Sequence, residues 1–281
     1  MQLGIFSAIM GRTPLDKFAK LAADLGYQAI ELAGRPGDSH VVPDEVLGGK
    51  AGEVRRACSE AGLEISAVSS HLNHLHPDQK RREELNGHFL KVIDCAQQLG
   101  VRVVNTFSGA PGGRLVQAPD AAWADFRETF LPLVDHAKSY RIKIGIEVHW
   151  GSLAFNVPTM ERMFKEVPDR TLGLNYDPSH FIWQLQDYLI PLERFGDRIY
   201  HSHAKDVKVY LGRLRQYGVN DRRWYTQTIP GWGDADWAAI ARLLMERTEC
   251  EVLSFEHEDP LFLPLDGMKK AAEFLKQFTV E

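Results

Sequence analysis

Four side chains able to hold a metal ion, Glu147, Asp177, His203 and Glu256, stand at or near the ends of short apolar runs. The runs are IKIGIE (142–147), TLGLNYD (171–177), RIYHSH (198–203) and VLSFE (252–256). Each has the look of a β-strand, and side chains on a strand alternate between its two faces. Counting back in twos, Gly145, Asn175, His201 and Ser254 share the face of the four candidate ligands. Ile144, Ile146, Leu174, Tyr176, Tyr200, Leu253 and Phe255 take the other face. Each run therefore has a bulky face for packing and a small or polar face that ends in a potential ligand. Three carboxylates brought together in a partly buried place repel one another and lose hydration, and a bound cation relieves both costs. An oxygen-rich set with one imidazole suits Mn²⁺ first, with Mg²⁺ or Co²⁺ as alternatives. A structural zinc site would draw more on thiolates and imidazoles.

Other residues with chemical potential cluster around these four. His180 closes Asp177-Pro178-Ser179-His180, where it can bond a substrate hydroxyl or ligate a second metal. His149 lies two residues beyond Glu147 and shares its face. Lys205 and Asp206, in His203-Ala204-Lys205-Asp206, offer a cation for a developing oxyanion and an orienting partner for it. His71, in SSHLNHLH, ends the third expected strand and is expected at the same mouth as a substrate contact, with His74 and His76 weaker candidates. His40 and Asn105 are weaker still. Gly109, Gly112 and Gly113 in GAPGG lack the Lys-Ser/Thr that a phosphate-binding P-loop requires, so a close backbone approach or a flexible loop is expected there. Trp150 and Trp183 are candidates either for packing or for stacking on a sugar.

The elements that must position these groups follow from periodicity. Eight strands are expected at 2–7, 28–32, 64–69, 102–107, 142–148, 171–176, 198–203 and 251–256. Helices are expected at 14–25, 44–61, 79–99, 121–140, 159–167, 187–195, 235–247 and 266–278. A weak repeat, a helix running into a turn and then a β-rich run, recurs in LAADLGYQAIEL, CSEAGLEISAV, AQQLGVRVVNTF and, without the glycine, HAKSYRIKIGIE. Gly26, Gly62 and Gly100 stand where a left-handed residue should end each helix. The first helix is expected to start with Thr13 as its cap and Pro14 in its first turn. Strict strand–helix alternation implies parallel strands, and eight such units close a (β/α)8 TIM barrel. A single domain over 1–281 is expected, since 281 residues match one such barrel and no linker or composition shift breaks the chain. The long loops at 33–43, 70–78, 108–120, 149–158 and 204–234 follow strands, so they share the mouth with the candidate ligands. The last of them is basic and aromatic, and is expected to cover the mouth or to make a dimer contact that completes the pocket.

A charge of −5 with 25% charged and 44% hydrophobic residues fits a globular protein and argues against a general nucleic-acid binder. Three dispersed cysteines form no CxxC pair and fit a reducing compartment. With no apparent leader or membrane-spanning run, the expectation is a cytoplasmic enzyme that contacts neither membrane nor nucleic acid.

The strings IEVH (146–149), NYDPSH (175–180), YHSHAKD (200–206), PGWGDADW (230–237) and SFEHED (254–259) resemble the xylose-isomerase-like TIM-barrel superfamily, as does LGYQAIEL. The superfamily holds sugar epimerases, inosose dehydratases and endonuclease-IV-type enzymes. FSGAPG, DPSHFIWQ, HAKD and EHED look most like its sugar phosphate isomerase/epimerase subgroup, which includes epimerases of 3-keto-glycosides. The resemblance implies Glu147, Asp177, His203 and Glu256 as ligands of a divalent metal, and Glu147 and Glu256 as the acid and base. It implies a small sugar or glycoside substrate, proton abstraction to an enediolate, and a possible homo-oligomer. The same first step leads by elimination to a lyase or dehydratase of a 3-keto sugar or inosose. Val209 and Leu153 stand where ketose 3-epimerases carry an arginine and a glutamate, which argues against a free ketose. The histidines of the endonuclease type are missing from NTFSG and from 204–234.

Overall fold

The structure is a computed structural model that describes residues 1–37, 39–112 and 118–279. Its strands are β1 Gln2–Phe6, β2 Ala29–Ala33, β3 Glu64–Ser69, β4 Val103–Phe107, β5 Lys143–Glu147, β6 Leu172–Tyr176, β7 Ile199–Ala204, β8 Asp206–Val209, β9 Tyr225–Thr228 and β10 Val252–Phe255. Eight of them form a closed parallel barrel in the order β1–β10–β7–β6–β5–β4–β3–β2. The barrel closes where Leu3 and Gly4 of β1 lie opposite Leu253 and Ser254 of β10. The eight expected strands lie within one residue of the observed ends. The remaining pair, β8 and β9, forms an antiparallel hairpin inside the long loop, with the helix Leu211–Tyr217 at its tip. Among the described residues, no helix is long and apolar enough to cross a membrane.

Helix ends show how local chemistry sets the barrel's return strokes. Gly26, Gly62 and Gly100 have φ of +88°, +77° and +76°, the left-handed geometry that lets the chain leave a helix and turn into a strand. The fourth repeat has no glycine, and there Arg141 takes φ of +60°, a conformation that costs an L-residue about 1–2 kcal/mol. Two helix expectations need correction. The first helix runs Leu15–Asp24 with Pro14, not Thr13, at its cap position and no side-chain cap bond. The helix expected over 44–61 is broken: a π-type turn at Val46–Lys50 separates Pro43–Glu45 from Ala51–Glu60, because Gly49 adopts φ of +115°. Gly48-Gly49 had given the sign of this break.

The apolar layer lies between strands and helices. Ile30, Leu32, Val68, Val104, Ile144, Ile146, Leu174, Leu253 and Phe255 are fully or almost fully buried there with Phe18, Phe89, Phe126, Phe130 and Met268. Each such side chain contributes about 1.5–3 kcal/mol by leaving water.

The inside of the barrel is different. Glu31, Ser69, Asn105, Asn175, His201, His203 and Ser254 are wholly buried. Hydrogen bonds that Glu31 of β2 accepts from His203 of β7 and Ser254 of β10, strands that are not its neighbours, place these side chains in the lumen. Gly145 faces them too, since a Cβ there would collide with Asn105 Oδ1 and come within 3.2 Å of the Asn175 backbone nitrogen. A barrel is commonly filled with branched hydrocarbon side chains. This one is filled in large part with hydrogen bonds, so each buried polar group needs a partner.

His74 illustrates a polar group used for packing. Its Nδ1 is 2.6 Å from Asn86 Oδ1, its Nε2 2.7 Å from Thr106 Oγ1, and its ring lies against Phe89 and Phe130. It is wholly buried and takes no part in a metal cluster. Burial pushes its pKa down to about 4, partly offset by Asn86. The unfolded chain then binds this proton first, near the ordinary histidine value of about 6.5. Stability from His74 is therefore present above that value and is lost as pH falls toward 4, by about 3 kcal/mol in all. Urea unfolding of wild type and His74→Gln between pH 7 and 4 should show the wild type losing stability more steeply. Parallel curves would overturn this assignment.

Candidate metal centre and active site

Glu147 ends β5, Asp177 follows β6, His203 lies in β7 and Glu256 follows β10. The chain brings one ligand atom from each within 4.8 Å of all the others. Metal–ligand bonds of about 2.0–2.2 Å put neighbouring donor atoms roughly 3–4.5 Å apart, so the four fit around one ion. His203 Nδ1 is 3.4 Å from Glu147 Oε2 and 3.3 Å from Glu256 Oε2. His203 Nδ1 is buried without a hydrogen-bond partner, while Asp177 Oδ2, likewise without a hydrogen bond, has the Lys205 ammonium at 3.0 Å. A lone pair facing two carboxylates needs a proton or a cation between them. The donor set and the unpartnered His203 Nδ1 thus fit a divalent cation.

The charges around the four follow from their neighbours. Burial raises the pKa of Glu147, but His71, His203 and a hydrogen bond from His180 outweigh it and hold the carboxyl well below its usual range. Burial likewise opposes the charge on Glu256, and Lys205 and His203 overcome it, so this carboxyl is also strongly depressed. His203 would be neutral if burial alone acted; Glu31, Glu147 and Glu256 instead push its pKa well up. Without a metal, the imidazole keeps a proton at the spot a cation would take.

The remaining predicted site residues converge on the same centre. His71 Nε2 is 2.7 Å from Glu147 Oε2, and His180 Nε2 is 2.8 Å from Glu147 Oε1. Lys205 is buried, with its Nζ 2.6 Å from Glu256 Oε2 and 3.0 Å from Asp177 Oδ2. His149 packs 4.7 Å from the His180 ring, and burial with the neighbouring His180 lowers its pKa to about 4, so it is neutral at pH 7. A cavity of about 290 Å³ opens above them, lined by His71, Glu147, His149, His180, Lys205 and Glu256 and walled on its apolar side by Phe6 and Phe107.

Several candidates go elsewhere. Asp206 does not orient Lys205; its carboxylate accepts bonds from the backbone of Gly231, Gly233 and Ala235 and from Trp237 Nε1. It ties down the PGWGDADW segment, where a Cβ on Gly233 would strike it. His40 stacks on Phe18 and bonds the Thr13 carbonyl. His76 sits at the start of the helix Gln79–Leu99, where its Nδ1 accepts from the Asp78 backbone. Gly109, at φ +86°, passes so close to Leu75 that a side chain would not fit. Gly112 takes φ +95°, and Gly113 lies outside the described residues.

The aromatics of the long loop contact protein. Tyr225 stacks on Trp183 at 5.2 Å, Arg222 covers Trp150 at 4.7 Å, and Arg213 and Arg223 cover Tyr210 and Tyr217. The hairpin is thereby fastened to the loops after β5 and β6, and of this stretch only Lys205 reaches the cavity among the described residues.

Sequence reasoning missed Glu31. It is wholly buried, 3.0 Å from His203 Nε2 and 2.6 Å from Ser254 Oγ, and is also bonded by Ser69. Burial opposes its charge, but His203, His201 and Ser254 bring its pKa down to about 2. The signal was present: in AIEL, Glu31 alternates with Ile30 and Leu32 as the inward group of a buried strand.

Residues 19–278 match the profile of the Xylose isomerase-like TIM barrel family, and the chain belongs to it. It is 27% identical to the uncharacterized protein YfiH of Bacillus subtilis (strain 168), over 99% of each chain. It is 24% identical to an inosose dehydratase of Clostridium perfringens (strain ATCC 13124) over 56% of this chain, and spans 55% of that protein. Among solved structures, the IolI protein with a bound zinc atom superposes with a TM-score of 0.77 at 18% identity, covering 99% of this chain and 98% of that one. L-ribulose 3-epimerase superposes with a TM-score of 0.72 at 18% identity, covering 99% and 94%. At these identities the structural matches speak for the fold.

We predict one divalent ion per chain at the four-residue centre. Titration of chelator-treated protein with Mn²⁺ should saturate at one equivalent. Asp177→Ala should weaken binding by more than about 100-fold, since loss of a mere supporting residue costs roughly 10–100-fold. Unchanged affinity in that variant would remove Asp177 from the ligand set.

Proposed function

We propose that this chain is a divalent-metal-dependent isomerase or epimerase of a keto-sugar or 3-keto-glycoside. The observation that carries the reading is the pair Glu147 and Glu256. Both carboxylates line one cavity and both flank His203 Nδ1, yet they come from β5 and β10, which β6 and β7 separate in the barrel. Two bases reaching one centre from different directions suit removal of a proton from one face of a carbon and its return to the other.

Glu147, Asp177, His203 and Glu256 would hold the ion, with Mn²⁺ favoured by the oxygen-rich donor set. When bound, such an ion supplies Lewis acidity toward a ketone oxygen and an adjacent hydroxyl, which acidifies the neighbouring C–H. One of the two glutamates would take that proton, and the other, entering the cycle protonated, would return one to the opposite face, so that the pair ends with its protonation reversed until a proton exchanges back. Lys205, tied to Glu256, stands ready to donate to the enediolate oxygen. His71 and His180 hold both oxygens of Glu147 and fix its direction. His149, being neutral, can exchange hydrogen bonds with a sugar hydroxyl without adding charge. Phe6 and Phe107 exclude water from one side.

A second reading draws on the likeness to inosose dehydratases. The same carbanion can expel a leaving group β to it, which would make the protein a lyase or dehydratase. The two readings part at the product. NMR of candidate 3-keto-glycosides and ketoses in D₂O, with Mn²⁺ removed before spectra are taken, should show deuterium at one carbon with inversion or carbonyl migration. Loss of water or an aglycone would select the lyase. No exchange and no turnover across such substrates would overturn proton abstraction altogether.

Glu147→Gln and Glu256→Gln should each lower kcat by about 10²–10⁴ under saturating metal, the usual worth of a positioned proton-transfer group. Near-normal kcat in either variant would strip that residue of its role.

A further inference from the structure

We infer that Glu31 is a positioning residue for the metal centre, holding the His203 ring so that Nδ1 is its free ligand atom. This rests on the reading of Glu147, Asp177, His203 and Glu256 as metal ligands. Glu31 lies on β2, across the lumen from β7, and is not itself among the residues that line the cavity.

Its carboxylate can only accept hydrogen bonds. The groups around it are Ser69 Oγ, Ser254 Oγ at 2.6 Å, Asn105 Nδ2 at 3.4 Å and His203 Nε2, which lies 3.0 Å from one oxygen and 3.1 Å from the other. All five residues are wholly buried. In such a place an imidazole lone pair pointed at a carboxylate would be repelled with little screening. Asn175 Nδ2 lies 3.2 Å from the same nitrogen and could donate to a lone pair there, but a charged carboxylate at 3.0 Å outweighs a neutral amide, so the proton of a neutral His203 sits on Nε2 and is donated to Glu31. That leaves the lone pair on Nδ1, the nitrogen 3.3–3.4 Å from the carboxylates of Glu147 and Glu256. The hydroxyls of Ser69 and Ser254 hold the carboxylate in turn, so orientation passes from β3 and β10 through Glu31 to His203. Phe6, stacked on the His203 ring at 5.6 Å, limits its tilt. A carboxylate on the far nitrogen of a ligand histidine fixes its tautomer and raises its basicity.

Glu31→Gln keeps the shape and removes the charge. Its amide can turn either an oxygen or an NH₂ toward His203, so the ring is no longer held in one tautomer. Competition against a chelating dye should show Mn²⁺ Kd rising about 10–100-fold, while the metal-free variant, though less heat-stable for loss of a buried charge partner, keeps its native circular dichroism at the assay temperature. In the wild type, ¹⁵N spectra of histidine-labelled protein loaded with diamagnetic Zn²⁺ should show His203, assigned with His203→Gln, protonated at Nε2 and coordinated through Nδ1. A Kd within about twofold of wild type in a folded Glu31→Gln protein would overturn the inference. So would a wild-type His203 protonated at Nδ1, a result that decides the matter even if the variant fails to fold. A wild type that binds neither metal would overturn the metal site itself and this inference with it. Metal bound equally by both proteins would overturn only the role of Glu31.

Discussion

The organising constraint is a buried excess of carboxylate. Glu31, Glu147, Asp177 and Glu256 crowd around His203 in or at the top of the barrel, and the fixed cation among them is Lys205. Charge of one sign out of water is too costly to persist without countercharge. Much of the centre can be read as an answer to that cost. His203 lies between Glu31 on one nitrogen and two glutamates on the other, Lys205 is drawn fully inward, and His71 and His180 close on Glu147. The groups that relieve the charge are also the ones with chemistry to offer, because a side chain pinned by such a field is already oriented.

The barrel wall makes this possible by dividing its labour between faces. Outward side chains such as Ile144, Ile146 and Leu174 supply the apolar burial that stabilises the fold. The lumen is thereby free to hold Asn105, Asn175, His201 and Ser254. Those residues add little hydrophobic stability of their own, but their hydrogen bonds, such as Ser254 to Glu31 and Asn105 to Ser69, tie the polar interior together. The small residue at Gly145 is what lets Asn105 and Asn175 approach each other there.

Much of this could be read from the chain because strand periodicity is strict. Alternation in IKIGIE, TLGLNYD, RIYHSH and VLSFE separates packing from polar positions, and parallel alternation with helices puts all the strand ends at one mouth. The harder parts were those where the cue was not periodic. Glu31 belongs to a strand with no ligand at its end, and its worth appears only when β2 is seen across the lumen from β7. The hairpin inside 204–234 was hidden because β8 and β9 are four residues each and lie on a stretch rich in arginine and tyrosine. Asp206 pairs by sequence with Lys205, but its place in β8 sends it to the backbone of 231–235. Gly48-Gly49 interrupts a helix whose apolar spacing looked continuous.

The way the hairpin is fastened bears on how such a protein can change. It joins the centre through Lys205, is bonded to Asp259 in the loop after Glu256 by Thr228 and Ile229, and is tied to the Asp206-bound turn and to Trp150 and Trp183 by ring and cation contacts. Among the described residues, no hydrogen bond or ion pair joins Glu147, Asp177, His203 or Glu256 to residues 207–234. The roof and the hearth are thus separable inheritances. A lineage could lengthen, shorten or exchange this excursion while the carboxylates and histidines of the centre go on meeting the same electrostatic demand.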